Sequence, residues 1–236
     1  MQSYTRHKLK QDRFAETAHE AADWAGAHRS TTFLVGGIIV VVAVIAAGLY
    51  LWHDHQTEQG NLALGKAMRT AAAQVRQPGE PAPQDGSQSF SSLAEREKAA
   101  EKEFSEAADK YSWTQAGKIA RYMAGATAAQ AGDNAVAERE LKSAAGSGDR
   151  DLAALARLAL ANFYRSLDRQ SDAAKLYDEL AGHPAGTVSK AQAQLEKAEM
   201  YEKSNPQEAA NLYQQVQKEN PATMAGQIAA AKLQAK

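Results

Sequence analysis

Residues 155–184 read LARLALANFYRSLDRQSDAAKLYDELAGHP. Two helical segments flank the polar turn Asp168-Arg169-Gln170-Ser171, and Pro184 closes the unit. On the first segment Ala161 and Tyr164 share a face. On the second, Ala173, Tyr177 and Leu180 recur at four and then three residues, which also places them on one face. A small residue lets two helices cross closely, and the larger ones beside it fill the crossing.

Working outward, the pattern repeats. A shift of 36 in either direction finds Ala137, Leu141 and Ala144, and Ala209, Tyr213 and Val216. One unit earlier, at a shift of 37, stand Ala100, Phe104 and Ala107. The preceding helices agree: Ile119-Ala120-Arg121 matches Leu155-Ala156-Arg157 at 36, and Ala161 and Tyr164 match Ala198 and Tyr201 at 37. A fixed period of this size signals helical pairs that bury their apolar faces only by stacking on neighbours. Short turns separate the helices of a pair: Gly132-Asp133-Asn134, Asp168 to Ser171, and Ser204-Asn205-Pro206. Asp133 or Asn134, Ser171 and Asn205 are the expected N-caps, with Pro206 at a first helical position. Pro184 and Pro221 end second helices, and a helix from Thr223 to Gln234 caps the stack. Residues 91–236 therefore form one all-α repeat domain.

A different solvent governs the N-terminal part. From Thr31 to Trp52 no residue is charged, and Phe33 to Leu51 is apolar apart from Gly36, Gly37 and Gly48. About 20 helical residues span roughly 30 Å, the thickness of a bilayer core. Tyr50 and Trp52 suit an interfacial belt. Residues 31–52 are read as a single transmembrane helix, against a core helix or a cleaved signal peptide. The leader of about 30 residues is long for a signal peptide. Arg6, Lys8, Lys10, Arg13 and Arg29 precede the span, whereas no Lys or Arg follows until Lys66. This favours a cytoplasmic tail, 1–30, and a translocated C-terminal domain, although within about 20 residues the balance is even, Arg13 and Arg29 against Lys66 and Arg69. Within the tail, Phe14, Ala18, Ala21 and Ala25 suit one face of a short helix with Trp24 at its edge, read as a solvated tail or a cytoplasmic contact. Residues 53–76 form a juxtamembrane segment with a helix from Asn61 to Val75. The Pro- and Gly-rich residues 77–90 form a linker.

Composition excludes more than it selects. The formal charge of −1 gives no field for nucleic acid. The absence of cysteine rules out disulfides, thiolate metal sites and a cysteine nucleophile. No phosphate loop, dinucleotide fingerprint or nucleophile elbow is present. His53 and His55 are the only close histidine pair, and on a helix they lie about 200° apart, which is wrong for a shared metal. Glu138, Glu140, Asp178 and Glu179 read as solvated helix faces with basic neighbours. No catalytic, cofactor or metal site is expected, and the remaining class is binding. First helices line the inner face of such arrays, which selects Tyr122, Asn162, Arg165 and Glu199 as groove residues, with ordinary surface as the alternative. On the span, Gly36, Val40, Ala43 and Ala47 share a stripe suited to close helix packing or to lipid.

Leu160, Ala161, Tyr164, Ala173, Tyr177 and Pro184 together resemble the tetratricopeptide repeat. Arg157 departs from it, since that family often has a large aromatic there, and so does the first unit, with only Gly125 and Ala128 at its small and aromatic places. The fold is thus an N-terminal transmembrane helix followed by a tetratricopeptide-like α-solenoid. The tail, the span ending Leu49-Tyr50-Leu51-Trp52, the His53-containing segment after it and the degenerate array are together similar to the bacterial ancillary SecYEG translocon subunit family (YfgM-like). That resemblance implies a single-pass inner-membrane protein with a periplasmic domain beside SecYEG, associated with a membrane-bound periplasmic chaperone or prolyl isomerase. The competing reading is an adaptor for cell-envelope assembly or division that uses the span only as an anchor.

Overall fold

The computed structural model describes residues 29–235 apart from 78, 79, 82, 84 and 85. The tail helix expected around Phe14 to Ala25 lies outside the described residues, as do parts of the 77–90 linker. Among the described residues the elements are α1 (Arg29–Ala71), β1 (Gln74–Val75), β2 (Ser89–Phe90), α2 (Leu93–Lys110), α3 (Gln115–Ala131), α4 (Asn134–Ala145), α5 (Arg150–Ser166), α6 (Gln170–Gly182), α7 (Lys190–Ser204), α8 (Pro206–Glu219) and α9 (Met224–Gln234). The chain divides into two compact units at the boundary between His55 and Gln56.

In the first unit, α1 carries the apolar run, which is unburied, and by its length and composition it is long and apolar enough to cross a membrane. Phe33, Ile39, Val42 and Leu51 all stand exposed.

The second unit begins on the later turns of the same helix. Ala67 is fully buried against Ala100, Phe104, Ala108, Ala120 and Ala124, with Ala63, Leu64 and Ala71 packed around them. Buried Thr70 donates to Glu103 Oε2 at 2.8 Å, and Lys66 pairs with Glu103 at 3.0 Å. The helix stops at Ala71, short of the expected Val75. Val75 instead pairs in parallel register with Phe90, drawing the chain out of helix. β-branched Val suits that extended conformation better than a final helical turn.

From α2 onward each helix packs chiefly on the next, the neighbour-to-neighbour order of a stacked array. The core is continuous in kind. Ala137 and Leu141, Ala173 and Tyr177, and Ala209 and Tyr213 are each at most 1 % exposed, so the residues that define the period are the ones buried. Gly125 shows how closely α3 and α4 approach: a Cβ there would lie 2.7 Å from Leu141 Cγ.

The caps explain the helix starts. Side chains of Ser92, Thr114, Asp133, Asp149, Ser189, Asn205 and Thr223 each accept a hydrogen bond from an amide of the following first turn. Asp133, rather than Asn134, caps α4, and Asn205 caps α8 with Pro206 at its start. Ser171 is not a cap. Helix α6 starts at Gln170, and Arg169 precedes it without a side-chain cap bond. The cause is Asp168, held at φ 58 in the left-handed region, which turns the chain early. Its repeat equivalent is Gly132 at φ 82, which adopts the same conformation without a Cβ penalty.

Candidate protein-binding face

Two of the four sequence-predicted groove residues, Asn162 and Arg165, stand by one hydroxyl. Tyr177 is fully buried on α6, and its OH donates to Asn162 Oδ1 at 2.6 Å. Arg165, one helical turn along α5 from Asn162, pairs with Glu196 of α7 at 3.2 Å. Burial pushes the Tyr177 hydroxyl up to about 12. Arg165 pulls against that shift, while Glu196 and Glu199 add to it. Asn162 and Arg165 therefore belong to one polar cluster with Tyr177 and Glu196, spanning α5, α6 and α7, and Glu199 acts on it only through its charge. Tyr122 stands apart on α3, half-buried against Ala144, Ala145 and Ala156 and the edge of the central core.

The arrangement recurs one repeat later. Tyr213, equivalent to Tyr177, donates to Glu202 Oε1 at 2.7 Å, and Lys232 of α9 reaches the same oxygen at 3.0 Å. Glu199 is exposed and lies 3.8 Å from that lysine. Burial is the first cause raising the Tyr213 hydroxyl, and its bond to Glu202 the second. Each tyrosine thus ties the second helix of a pair to the first. The side chains around it are already engaged with one another, so this face offers a fixed pattern of donors and acceptors.

Two acidic residues differ from their expected solvated role. Glu140 is 4 % exposed, held by Arg121 Nη1 at 2.8 Å and by Arg139 at 2.8 Å. A buried carboxylate requires such pairing, because an isolated one would forfeit its hydration. Glu138 gathers Lys142 at 2.6 Å, the Tyr164 hydroxyl at 3.0 Å and Arg169 at 2.9 Å. Arg169 also lies over the Tyr164 ring, 4.0 Å from its centroid. The Lys142 bond is the largest cause holding the Glu138 carboxyl down to about 2. Only the i,i+4 spacing of Glu138 and Lys142 was a local signal. Asp178 and Lys197 form an ion pair between α6 and α7 at 2.6 Å, and Glu179 is exposed.

On the apolar segment of α1, Gly36, Val40, Ala43 and Ala47 are all exposed, and the space around the Gly36 Cα is open. They share one face by their spacing of four, three and four.

Arrays of this kind are characteristically scaffolds for protein–protein interaction. No curated protein and no solved structure matches the chain significantly. The model of a family described as the tetratricopeptide repeat-like domain matches residues 28–181, from just before the apolar helix through α6. With well over half of its length inside that match, the chain belongs to the tetratricopeptide repeat-like domain family.

Proposed function

We propose that the chain is a single-pass protein of the bacterial inner membrane whose repeat domain lies in the periplasm and binds proteins at the Sec translocon. In this reading residues 1–30 are cytoplasmic and 31–52 span the bilayer. Residues 53–76 leave the membrane, 77–90 are the linker, and 91–236 carry the binding face. The observation that carries it is α1. Its apolar turns are wholly unburied, and its last turns supply Ala63, Leu64 and Ala67 to the first core of the array. The same helix thus belongs both to the apolar segment and to the first core of the array. The family match, which takes in the apolar helix together with the repeats, supports the anchor as part of the architecture. The placing at SecYEG, beside a periplasmic chaperone or prolyl isomerase, is supported by the likeness in layout. The stripe Gly36, Val40, Ala43 and Ala47 would pack on a translocon helix, and Tyr122, Asn162, Arg165 and Glu199 would face the protein bound.

Two measurements test this. A reporter active only outside the cytoplasm, fused after Lys236, should be active. A silent reporter on intact membrane-bound protein would overturn the periplasmic placement. Replacing residues 31–52 by an unrelated span should abolish co-purification with SecYEG. Retained co-purification would shift the role of the span to that of a plain anchor.

A further inference from the structure

Gly60 is where the turn between α2 and α3 seats on the start of the second unit. A Cβ there would lie 3.0 Å from Thr114 Oγ1 and 3.3 Å from Tyr111 Cβ, so the absence of one permits the approach. The turn is closed on itself. Thr114 N and Oγ1 both donate to the Tyr111 carbonyl, at 2.9 Å and 2.8 Å, and Thr114 Oγ1 accepts from Gly117 N at 3.0 Å. Tyr111 and Thr114 are buried, whereas Ser112 and Trp113 between them are exposed. The indole is carried outward on a turn that is already ordered, so holding it there costs little further conformational entropy.

Trp113 is 39 % exposed, the one exposed Trp, Tyr or Phe among the described residues of the second unit. The turns that follow α4, α6 and α8, its equivalents along the array, contain no Trp, Tyr or Phe. The aromatic residue therefore belongs to the turn seated closest, along the chain, to the apolar run. Gly60 lies eight residues beyond Trp52, a tether of about 28 Å when fully extended. Whatever the angle between the two units, this tether keeps the turn within reach of the surface of a bilayer spanned by residues 31–52. Lys110, exposed at the end of α2, holds its ammonium 5.4 Å from the Tyr111 ring centroid, and Asp109 beside it is engaged by Arg121 at 3.0 Å. An indole with an apolar body and one N–H, and a lysine whose stem lies along a ring, are side chains that settle at the level of lipid headgroups.

We propose that the turn Tyr111 to Thr114 is a second membrane contact, in which Trp113 sits among the lipid headgroups and Lys110 meets lipid phosphate. The array then touches the bilayer both at the span and at this turn, which limits its swing about the anchor. The contact rests on the transmembrane reading of residues 31–52, and it is independent of the translocon and of which side the array occupies.

The test uses the full chain reconstituted in vesicles of phosphatidylcholine and phosphatidylglycerol, with and without a phosphatidylcholine that carries a nitroxide on its headgroup. Trp24→Phe with Trp52→Phe leaves Trp113 as the only indole, and Trp24→Phe with Trp113→Phe leaves Trp52. Ala135→Trp, in a chain with all three natural tryptophans changed to Phe, reports on the start of α4 at the far end of α3. The expected result is loss of Trp113 and Trp52 emission with the nitroxide lipid, and no loss from Ala135→Trp. Trp52 quenched with Trp113 untouched would overturn the turn contact and leave the span standing, whereas quenching of neither would overturn both. Equal quenching at positions 113 and 135 would mean that lipid meets the array without regard to this turn, and would also overturn the proposal. So would a blue-shifted Trp113 emission that is not quenched and is lost on diluting the protein, which would assign the turn to a second copy of the chain. Failure of the translocon reading would appear in the span exchange and leave this quenching unchanged.

Discussion

Gly117 and Gly65 both sit inside helices, yet replacing each by alanine should move stability in opposite directions. Alanine is favoured over glycine in a helix by about 1 kcal/mol, so propensity alone predicts a gain at both. At Gly65 a Cβ meets only the flexible end of Arg69, 3.7 Å away, and the gain of about 0.5–1 kcal/mol should be realised. At Gly117 a Cβ would stand 1.9 Å from the Tyr111 carbonyl oxygen and 2.4 Å from its carbon, both backbone atoms. Carbon–oxygen contacts of this kind settle at about 3.3 Å or more, so the start of α3 must retreat by about 1.4 Å. That movement strains the cap in which Gly117 N donates to Thr114 Oγ1 at 3.0 Å while Thr114 donates to the Tyr111 carbonyl at 2.8 Å. Overpacking costs about 1–3 kcal/mol and a weakened cap about 1 more. After subtracting the propensity gain, Gly117→Ala should destabilise by about 1–3 kcal/mol. For a domain of this size each kcal/mol moves Tm by about 2–4 °C. Thermal unfolding by circular dichroism in one detergent should therefore show Gly117→Ala melting several degrees below the parent and Gly65→Ala slightly above it. If Gly117→Ala melted at or above the parent, the close seating of α3 on the Tyr111 turn would be refuted.

Two further outcomes follow from the polar clusters. Glu138 is held from its ordinary 4.5 down to about 2, which at full value would contribute about 3 kcal/mol; with Lys142 and Arg169 exposed, screening reduces this to about 1 kcal/mol. Because the folded value is depressed, the contribution is present above pH about 4.5 and lost as pH falls toward 2, so urea midpoints of the parent and Glu138→Gln should differ at neutral pH and converge in acid. Tyr177→Phe, which keeps the ring and removes the 2.6 Å bond to Asn162, should cost about 1 kcal/mol by urea unfolding, against about 3–5 for Tyr177→Ala; equal losses would mean that the ring is not packed as described.

The helices were legible in the sequence because their signals are local. Ala173, Tyr177 and Leu180 lie within two turns, and the repeat relation needs only a shift along the chain. Failures came where a distant residue decides. Glu140 reads as a surface charge until Arg121, 19 positions upstream, is brought against it. Val75 sits in an alanine-rich run that favours helix, and only its pairing with Phe90 draws it out. Ser171 suits a cap by type, but the left-handed turn at Asp168 moves the helix start past it. In the candidate face Asn162 and Arg165, selected by phase, stand by the same hydroxyl, while Glu199 sits by Lys232 and Tyr122 lies on another helix. Phase did not show that Asn162 already serves Tyr177, because a residue's partner is not written in its helical phase.

The array also carries an uneven stability that its composition explains. Its first core is nearly all alanine, with Phe104 as its one aromatic residue, and its last rests on Tyr213, Leu195 and Val216. The central core holds Phe163, Tyr164 and Tyr177 together with Leu141, Leu158, Leu160 and Leu180, and so buries the greatest apolar area. In a stacked array stability is approximately a sum of each unit and its interfaces, so regions with less buried area open at lower free energy. Among the described residues helix α9 packs chiefly on α8, and Met224 and Ile228 are exposed on it. Native-state hydrogen exchange should therefore show the slowest amides in α5 and α6, faster exchange in α2 and α8, and the fastest among the helices of the array in α9. Equal protection from α2 to α9 would mean that the array unfolds as one cooperative block, and that the small alanine interfaces couple the repeats as strongly as the aromatic ones do.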